Sequence, residues 1–185
     1  MMIGYRKSEG NIGGERWRRP KNRKVAVLAK SALGILAIAL ALSYFKAHYF
    51  IGIMTQTARC IDNATVFLVV KDDKTPVRGA TMAFASRGLS PIVEDDQVIV
   101  KFMDGLPGDQ VNVGVRHTSI NGTEIVGDLS AVADNLGVAP ERFVRQQTLG
   151  QDEYWMQGRT AKSFDSRFWG PIKTEQIIGR AYILF

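Results

Sequence analysis

Lys101 is the residue whose surroundings most favour chemistry. It stands four residues before the turn-forming segment Gly105-Leu106-Pro107-Gly108-Asp109. An amine removes a proton only in its neutral form, and a free lysine has a pKa of about 10.4, so a lysine that acts as a base must be desolvated. In a strand over 98–104, Lys101 shares a face with the apolar Ile99 and Met103. The residues alone allow two interpretations: a desolvated base, or a lysine whose ammonium reaches solvent at the strand surface.

A second group of polar residues lies near the C-terminus. Ser163, Asp165 and Arg167 occupy alternate positions in the segment Ser163–Pro171. Side chains at alternate positions of an extended segment lie on one face, so we expect these three to point the same way. A polar surface loop is the alternative interpretation.

The segment from Lys101 to Asp109 and the segment from Ser163 to Pro171, in this order, resemble the two most recognisable sequence boxes of the signal peptidase I family. These are membrane-anchored serine–lysine endopeptidases. The second segment is followed by Ile177-Ile178-Gly179-Arg180-Ala181, which also fits the resemblance. The similarity covers roughly residues 50–185. It implies the family's fold, in which the peptide substrate lies extended beside a strand of the enzyme.

The resemblance also implies roles for individual residues. Lys101 would be the general base, and Ser163 would orient it by a hydrogen bond. An ion pair between Asp165 and Arg167 would hold the second segment in place.

The nucleophile departs from the family pattern. The resemblance places a serine near the outer end of the membrane segment, but no serine occurs between Ser43 and Ser86. Cys60 stands at about the expected position, so we expect it to be the nucleophile of a Cys–Lys dyad with Lys101. A thiol attacks as its thiolate, which the neighbouring cation Arg59 would stabilise.

Three alternatives to this assignment remain. In the first, Cys60 is a structural residue, because cysteine packs well as a small apolar group. In the second, the chain is an inactive homologue. In the third, Thr57 or Thr55 is the nucleophile. Acyl transfer also requires donors to the oxyanion. We expect the backbone amide of Cys60 to be one of them. Ala58 stands where many family members have a serine, so either Thr57 or another amide would supply the second donor, or the oxyanion hole would be weaker.

A finer resemblance is to the conjugative-transfer signal peptidases of the TraF type, which mature pilin precursors. Their Arg-Cys-Leu-Pro is similar to Arg59-Cys60-Ile61, although Asp62 replaces the proline. Pro76-Val77-Arg78-Gly79, Gly88-Leu89 and Gly158-Arg159-Thr160 also resemble that branch. We therefore expect an endopeptidase that processes a pilin-like precursor and works with conjugative secretion-system components. The alternatives are a general signal peptidase acting on other exported preproteins and an inactive factor that binds pilin.

Residues 1–45 predict a membrane anchor. Residues 1–24 carry eight Lys/Arg against two Glu, whereas the remainder has sixteen basic and sixteen acidic residues. The apolar run 25–45 is 21 residues long, and a bilayer-spanning helix needs about 20. Positive charge stays on the cytoplasmic side, so residues 46–185 would form a periplasmic peptidase domain anchored in the inner membrane. A cleaved signal peptide shares the same order of basic and apolar segments and is the alternative.

Composition excludes several other classes of site. A single cysteine forms no intrachain disulfide, and two histidines far apart offer no zinc cluster. No phosphate-binding or dinucleotide motif occurs, so we expect neither a cofactor nor a metal. The basic tail adjoins the apolar run, so we expect its partner to be the lipid bilayer and not nucleic acid. Asp104 and the run Glu94–Asp96 are predicted to be solvated loop charges.

The segment pattern predicts a mainly β fold with an antiparallel catalytic domain, a small helical insertion over 128–147 and one N-terminal transmembrane helix. Proline and glycine at 107 and 108 predict a type II turn, and Asn121-Gly122 predicts a tight hairpin. The predicted strands are Val66–Val70, Ala80–Ala85, Val98–Met103, Gln110–Arg116, Thr123–Val126, Tyr154–Met156, Ile177–Ile178 and Ala181–Phe185.

Overall fold

The computed structural model describes residues 22–53, 61, 65–125 and 127–185. The chain divides into two compact units, residues 1–42 and 43–185. The basic tail up to residue 21 and the predicted nucleophile Cys60 lie outside the described residues. So do Cys60's neighbours Thr55, Thr57, Ala58 and Arg59.

One long helix, α1 (Asn22–His48), contains the predicted span 25–45. It is long and apolar enough to cross a membrane, and it contains no buried residue. These properties fit a membrane anchor.

The unit 43–185 is built mainly from two antiparallel sheets. The larger sheet has the spatial order β1 (Tyr49–Ile53), β2 (Val66–Val70), β11 (Ile177–Ile183), β3 (Ala80–Ala85), β4 (Val98–Gly105), β9 (Glu153–Gln157) and β10 (Ile172–Lys173). The smaller has the order β7 (Thr123–Ile125), β6 (Thr118–Ile120), β5 (Gln110–Val113) and β8 (Arg145–Thr148). The remaining elements are α2 (Ser130–Leu136), α3 (Ser166–Trp169) and the 3-10 turns Pro140–Phe143 and Thr174–Gln176.

The predicted mainly antiparallel β fold is confirmed, and its turns form as expected. Gly108 has a φ of 86°, and the Asp109 amide donates to the Leu106 carbonyl at 3.1 Å, as in a type II turn. Asn121 and Gly122 both have positive φ, 50° and 79°, between β6 and β7. That pair of left-handed residues is the signature of a type I′ hairpin.

Some strand predictions need correction. The two predicted C-terminal strands are one strand, β11, whose pairing with β3 shifts register between Ile177 and Gly179. The helical insertion is shorter than 128–147, because Arg145–Thr148 pairs with β5 as β8. The strands β1, β6 and β10 were not predicted. β1 begins at Tyr49, directly after α1 ends at His48, so no turn-forming residue marks its start.

Two apolar clusters of the described residues pack against β4, the strand that contains Lys101. Met82, Met103 and Met156 lie in one of them, on three neighbouring strands of the larger sheet. Phe67 and Val69 of β2 belong to another, against which Val100 and Phe102 of β4 pack. The strand β4 is therefore packed on both faces, which fixes the backbone on either side of Lys101.

Candidate active site

Lys101 occupies the middle of β4, opposite Met82 of β3. It is only 2 % exposed, which excludes the solvent-reaching alternative. Its Nζ donates a hydrogen bond to Ser163 Oγ at 2.9 Å. In the described part of the chain, no carboxylate lies within ion-pair distance of this amine. Lys101 is thus a buried amine whose hydrogen-bond partner is a neutral hydroxyl.

Ser163 is fully buried and is held at both of its backbone groups. Its amide donates to the Thr160 carbonyl at 3.1 Å, and its carbonyl accepts from Arg167 Nη2 at 3.0 Å. The hydroxyl is thus aimed at Lys101 by the loop that carries it.

Asp165 and Arg167 form a buried ion pair, and neither side chain is exposed. Arg167 Nε donates to Asp165 Oδ1 at 2.8 Å, and Nη2 donates to Oδ2 at 2.9 Å. The second carboxylate oxygen also accepts from the Gly158 amide at 2.9 Å. Two-point pairing and the additional donor satisfy both charges, as a buried pair requires.

The expectation that Ser163, Asp165 and Arg167 lie in one extended segment is wrong. Asp165 is the N-cap of α3, and its side chain accepts from the Arg167 amide. Because the helix begins at Ser166, the Arg167 side chain turns back onto Asp165 instead of running parallel to it. Aspartate is among the residues preferred at a helix N-cap.

Asp104 is not the solvated loop charge that was predicted. It is 7 % exposed, and its carboxylate accepts from both terminal nitrogens of Arg159, with Nη2 to Oδ1 at 2.8 Å. Arg159 was not singled out as a functional residue. By contrast, Glu94, Asp95 and Asp96 are exposed, as expected.

The turn after β4 is fixed by Asp109. Its carboxylate accepts from Arg78 Nη2 at 3.0 Å, from the Leu106 amide at 2.6 Å and from Asn121 Nδ2 at 2.7 Å. Burial of the Asp109 carboxyl disfavours its charged form, but these three hydrogen bonds outweigh it and lower the pKa below its ordinary value of 3.8. The Gly-Leu-Pro-Gly-Asp motif thus fixes the C-terminal end of β4, the strand that contains Lys101.

A cleft of about 480 Å³ opens beside Lys101. It is lined by Phe50 and Gly52 of β1, by Phe67 and Val69 of β2, by the loop 92–97, and by the first half of β4 up to Lys101. A cleft bordered by strands and by a buried amine is suited to hold an extended peptide with its scissile bond near that amine.

The position of Cys60 is untested, because the residue lies outside the described ranges. Ile61, which follows it directly, is 3 % exposed and belongs to the cluster of Phe67 and Val69. Among the described residues, no group of three or more His, Cys, Asp or Glu side chains is arranged to hold a metal ion.

A comparison with protein families assigns the chain. The signal peptidase family, peptidase S26, matches residues 24–185. The chain belongs to this family. It is 25 % identical over 153 residues to "Probable signal peptidase I-2" of Synechocystis sp., which covers 82 % of this chain and 67 % of the relative. A signal peptidase I structure from Enterococcus faecalis is 25 % identical, with a TM-score of 0.37, and covers 61 % of this chain and 99 % of that one.

Family membership makes this protein a signal peptidase I-like peptidase. The helix α1 fits the membrane anchor of such an enzyme. The match is equally consistent with a general signal peptidase and with the conjugative-transfer branch.

Proposed function

We propose that this signal peptidase is a membrane-anchored endopeptidase that uses Cys60 as nucleophile and Lys101 as general base to process a pilin-like precursor. The observation that carries the role of the base is the hydrogen bond of 2.9 Å between the buried Lys101 amine and Ser163. Ser163 acts as the residue that orients Lys101, and the Asp165–Arg167 ion pair holds its loop.

The reaction proceeds in two steps. In the first, the Cys60 thiol passes its proton to Lys101, and the sulfur attacks the scissile carbonyl carbon. The peptide C–N bond breaks, the leaving amine takes the proton, and a thioester remains on Cys60. In the second, Lys101 takes a proton from water, whose oxygen attacks the thioester carbon. The C–S bond then breaks, the new carboxyl terminus of the substrate leaves, and Lys101 returns the proton to the sulfur of Cys60. Attack by an amine of the substrate in place of water would give a cyclic product.

The proposed role of Cys60 rests on its position in the sequence, after the apolar span and before β2, where the family resemblance places the nucleophile. The backbone amide of Cys60 is the proposed oxyanion donor.

The choice of a pilin-like substrate rests on the sequence. Arg59-Cys60-Ile61 is similar to the transfer branch, and the Ser-Met-x-Pro of general signal peptidases is absent. The Synechocystis relative favours a second candidate, a general signal peptidase that removes export signals. In either case, we place the protein in the inner membrane with residues 46–185 in the periplasm, so a reporter enzyme fused after Phe185 should be active only there.

Substitution of the base tests the mechanism. Lys101→Met retains most of the apolar stem and should keep the fold but lower cleavage by at least the 10²–10⁴-fold typical of general-base assistance. Lys173→Met is the matched control, because Lys173 is an exposed lysine paired with Asp152 and Glu153. Cleavage by the Lys101 variant at a rate near that of the control would eliminate Lys101 as the base.

A panel of precursors tests the substrate. The purified full chain in detergent should cleave a pilin precursor at least about tenfold faster, in kcat/KM, than an exported preprotein with an ordinary signal peptide, a difference of about 1.4 kcal/mol. Equal rates would identify a general signal peptidase. Binding of pilin without cleavage, unchanged by Lys101→Met, would identify an inactive assembly factor.

A further inference from the structure

Arg159 joins the two segments that carry Lys101 and Ser163. It lies four residues before Ser163, and its partner Asp104 lies three residues after Lys101. Both terminal nitrogens of Arg159 donate to the Asp104 carboxylate, one of them at 2.8 Å. This ion pair spans 55 positions in sequence, and the Lys101–Ser163 hydrogen bond, which joins the same two segments, spans 62.

Burial, two-point contact and ring stacking restrict the geometry of the Arg159–Asp104 ion pair. The Asp104 side chain is 9 % exposed and that of Arg159 is 36 % exposed. The Arg159 guanidinium also lies 4.1 Å from the centroid of the Phe102 ring, next to Lys101 in β4. A two-point arginine–carboxylate pair fixes orientation as well as distance, and a stacked aromatic ring restricts the guanidinium further.

Both partners are themselves held. The Asp104 carbonyl accepts from Arg78 Nη1 at 2.6 Å, which ties this end of β4 to the segment before β3. Next to Arg159, the Gly158 amide donates to Asp165. The loop 158–165 is thus attached to the ion pair of α3 at one point and to β4 at another.

We propose that Arg159 and Asp104 are positioning residues for the peptidase reaction, which set the loop of Ser163 against the strand of Lys101. They act through the Lys101–Ser163 contact and do not touch the substrate. The inference therefore rests on the proposed role of Lys101. Small displacements of a catalytic group are costly, since a shift of about 1 Å can reduce a rate by about 100-fold.

Steady-state kinetics of the full chain in detergent, with a cleavable precursor peptide, tests this. Arg159→Gln and Asp104→Asn should each lower kcat by about 10- to 100-fold and leave KM within about twofold of wild type. Arg159→Lys keeps the charge but loses the two-point contact, so it should recover only part of kcat. Arg87→Gln makes the same chemical change in an exposed ion pair with Glu175 and should leave kcat unchanged.

The outcomes separate a positioning role from a structural one. The proposal would be overturned by any of three results. These are a wild-type kcat in folded Arg159→Gln, an effect of that variant confined to KM, and full recovery of kcat by Arg159→Lys. If Arg159→Gln does not fold, Asp104→Asn and Arg159→Lys carry the same comparison. An active Lys101→Met variant would refute the proposed base, whereas an inactive Lys101→Met together with a fully active Arg159→Gln would refute only the positioning role.

Discussion

Replacement of Ser163 by alanine tests how strongly the buried hydroxyl supports catalysis. The change removes the acceptor of the Lys101 hydrogen bond at 2.9 Å, in a place where both residues are at most 2 % exposed. A buried polar group that loses its partner costs about 1–3 kcal/mol. If this loss acts on the transition state, kcat falls by about 5- to 150-fold, because about 1.4 kcal/mol corresponds to tenfold. The defect should be smaller than that of Lys101→Met, which removes the base itself.

Ser166→Ala is the matched control for this prediction. Ser166 is equally buried and lies in the same region, but its hydroxyl accepts from the Met156 amide at 2.9 Å and not from Lys101. Both variants should lose a similar amount of stability, as measured by thermal unfolding, yet only Ser163→Ala should lose kcat in initial-rate assays. Equal kcat values for the two variants, or a kcat of Ser163→Ala within twofold of wild type, would refute the reasoning.

Three further predictions concern the nucleophile and the buried charges. Cys60 is the only thiol, so iodoacetamide should label it and stop cleavage in parallel. Cys60→Ser should retain some activity, and Cys60→Ala should be folded but inactive. An active alanine variant would redirect the search for the nucleophile to Thr57 and Thr55. The lowered pKa of Asp109 stabilises the fold above about pH 4, and this contribution disappears as the pH falls through the folded-state pKa. The difference in free energy of unfolding between wild type and Asp109→Asn, measured by urea unfolding, should therefore be largest at neutral pH and shrink in acid. A difference that stays constant with pH would contradict this prediction. Arg167→Met leaves the buried Asp165 carboxylate without its cation and should destabilise the fold by about 3–5 kcal/mol. The double variant Asp165→Asn/Arg167→Met should lose less stability. A lower unfolding midpoint for the double variant than for Arg167→Met would exclude this account.

The sequence predicted those parts of the fold that depend on local pattern. The strands Val66–Val70 and Ala80–Ala85 coincide with β2 and β3, because β-branched and apolar residues are bounded there by turn formers. The turns at Gly108 and Asn121-Gly122 formed as expected, because few residues adopt positive φ easily.

The parts that were not predicted depend on partners far away in the chain. Asp104 follows an apolar strand and precedes a turn, which is typical of a solvated charge, and only the fold brings Arg159 to it. The polar strand Arg145–Thr148 is held by its pairing with β5 and not by its own composition. The contact between Lys101 and Ser163 was expected from the family resemblance and not from residue spacing, since 62 positions separate them.

The position of β11 has a consequence for how the larger sheet assembles. This strand is the last of the described chain, yet it lies between β2 and β3, so the β1–β2 hairpin joins the rest of the larger sheet only through it. During synthesis, β2 and β3 emerge from the ribosome long before the strand that links them, and the sheet cannot close until β11 is available. A nascent chain from which β11 has not yet emerged therefore carries β1 and β2 unattached to the strands that hold its buried lysine.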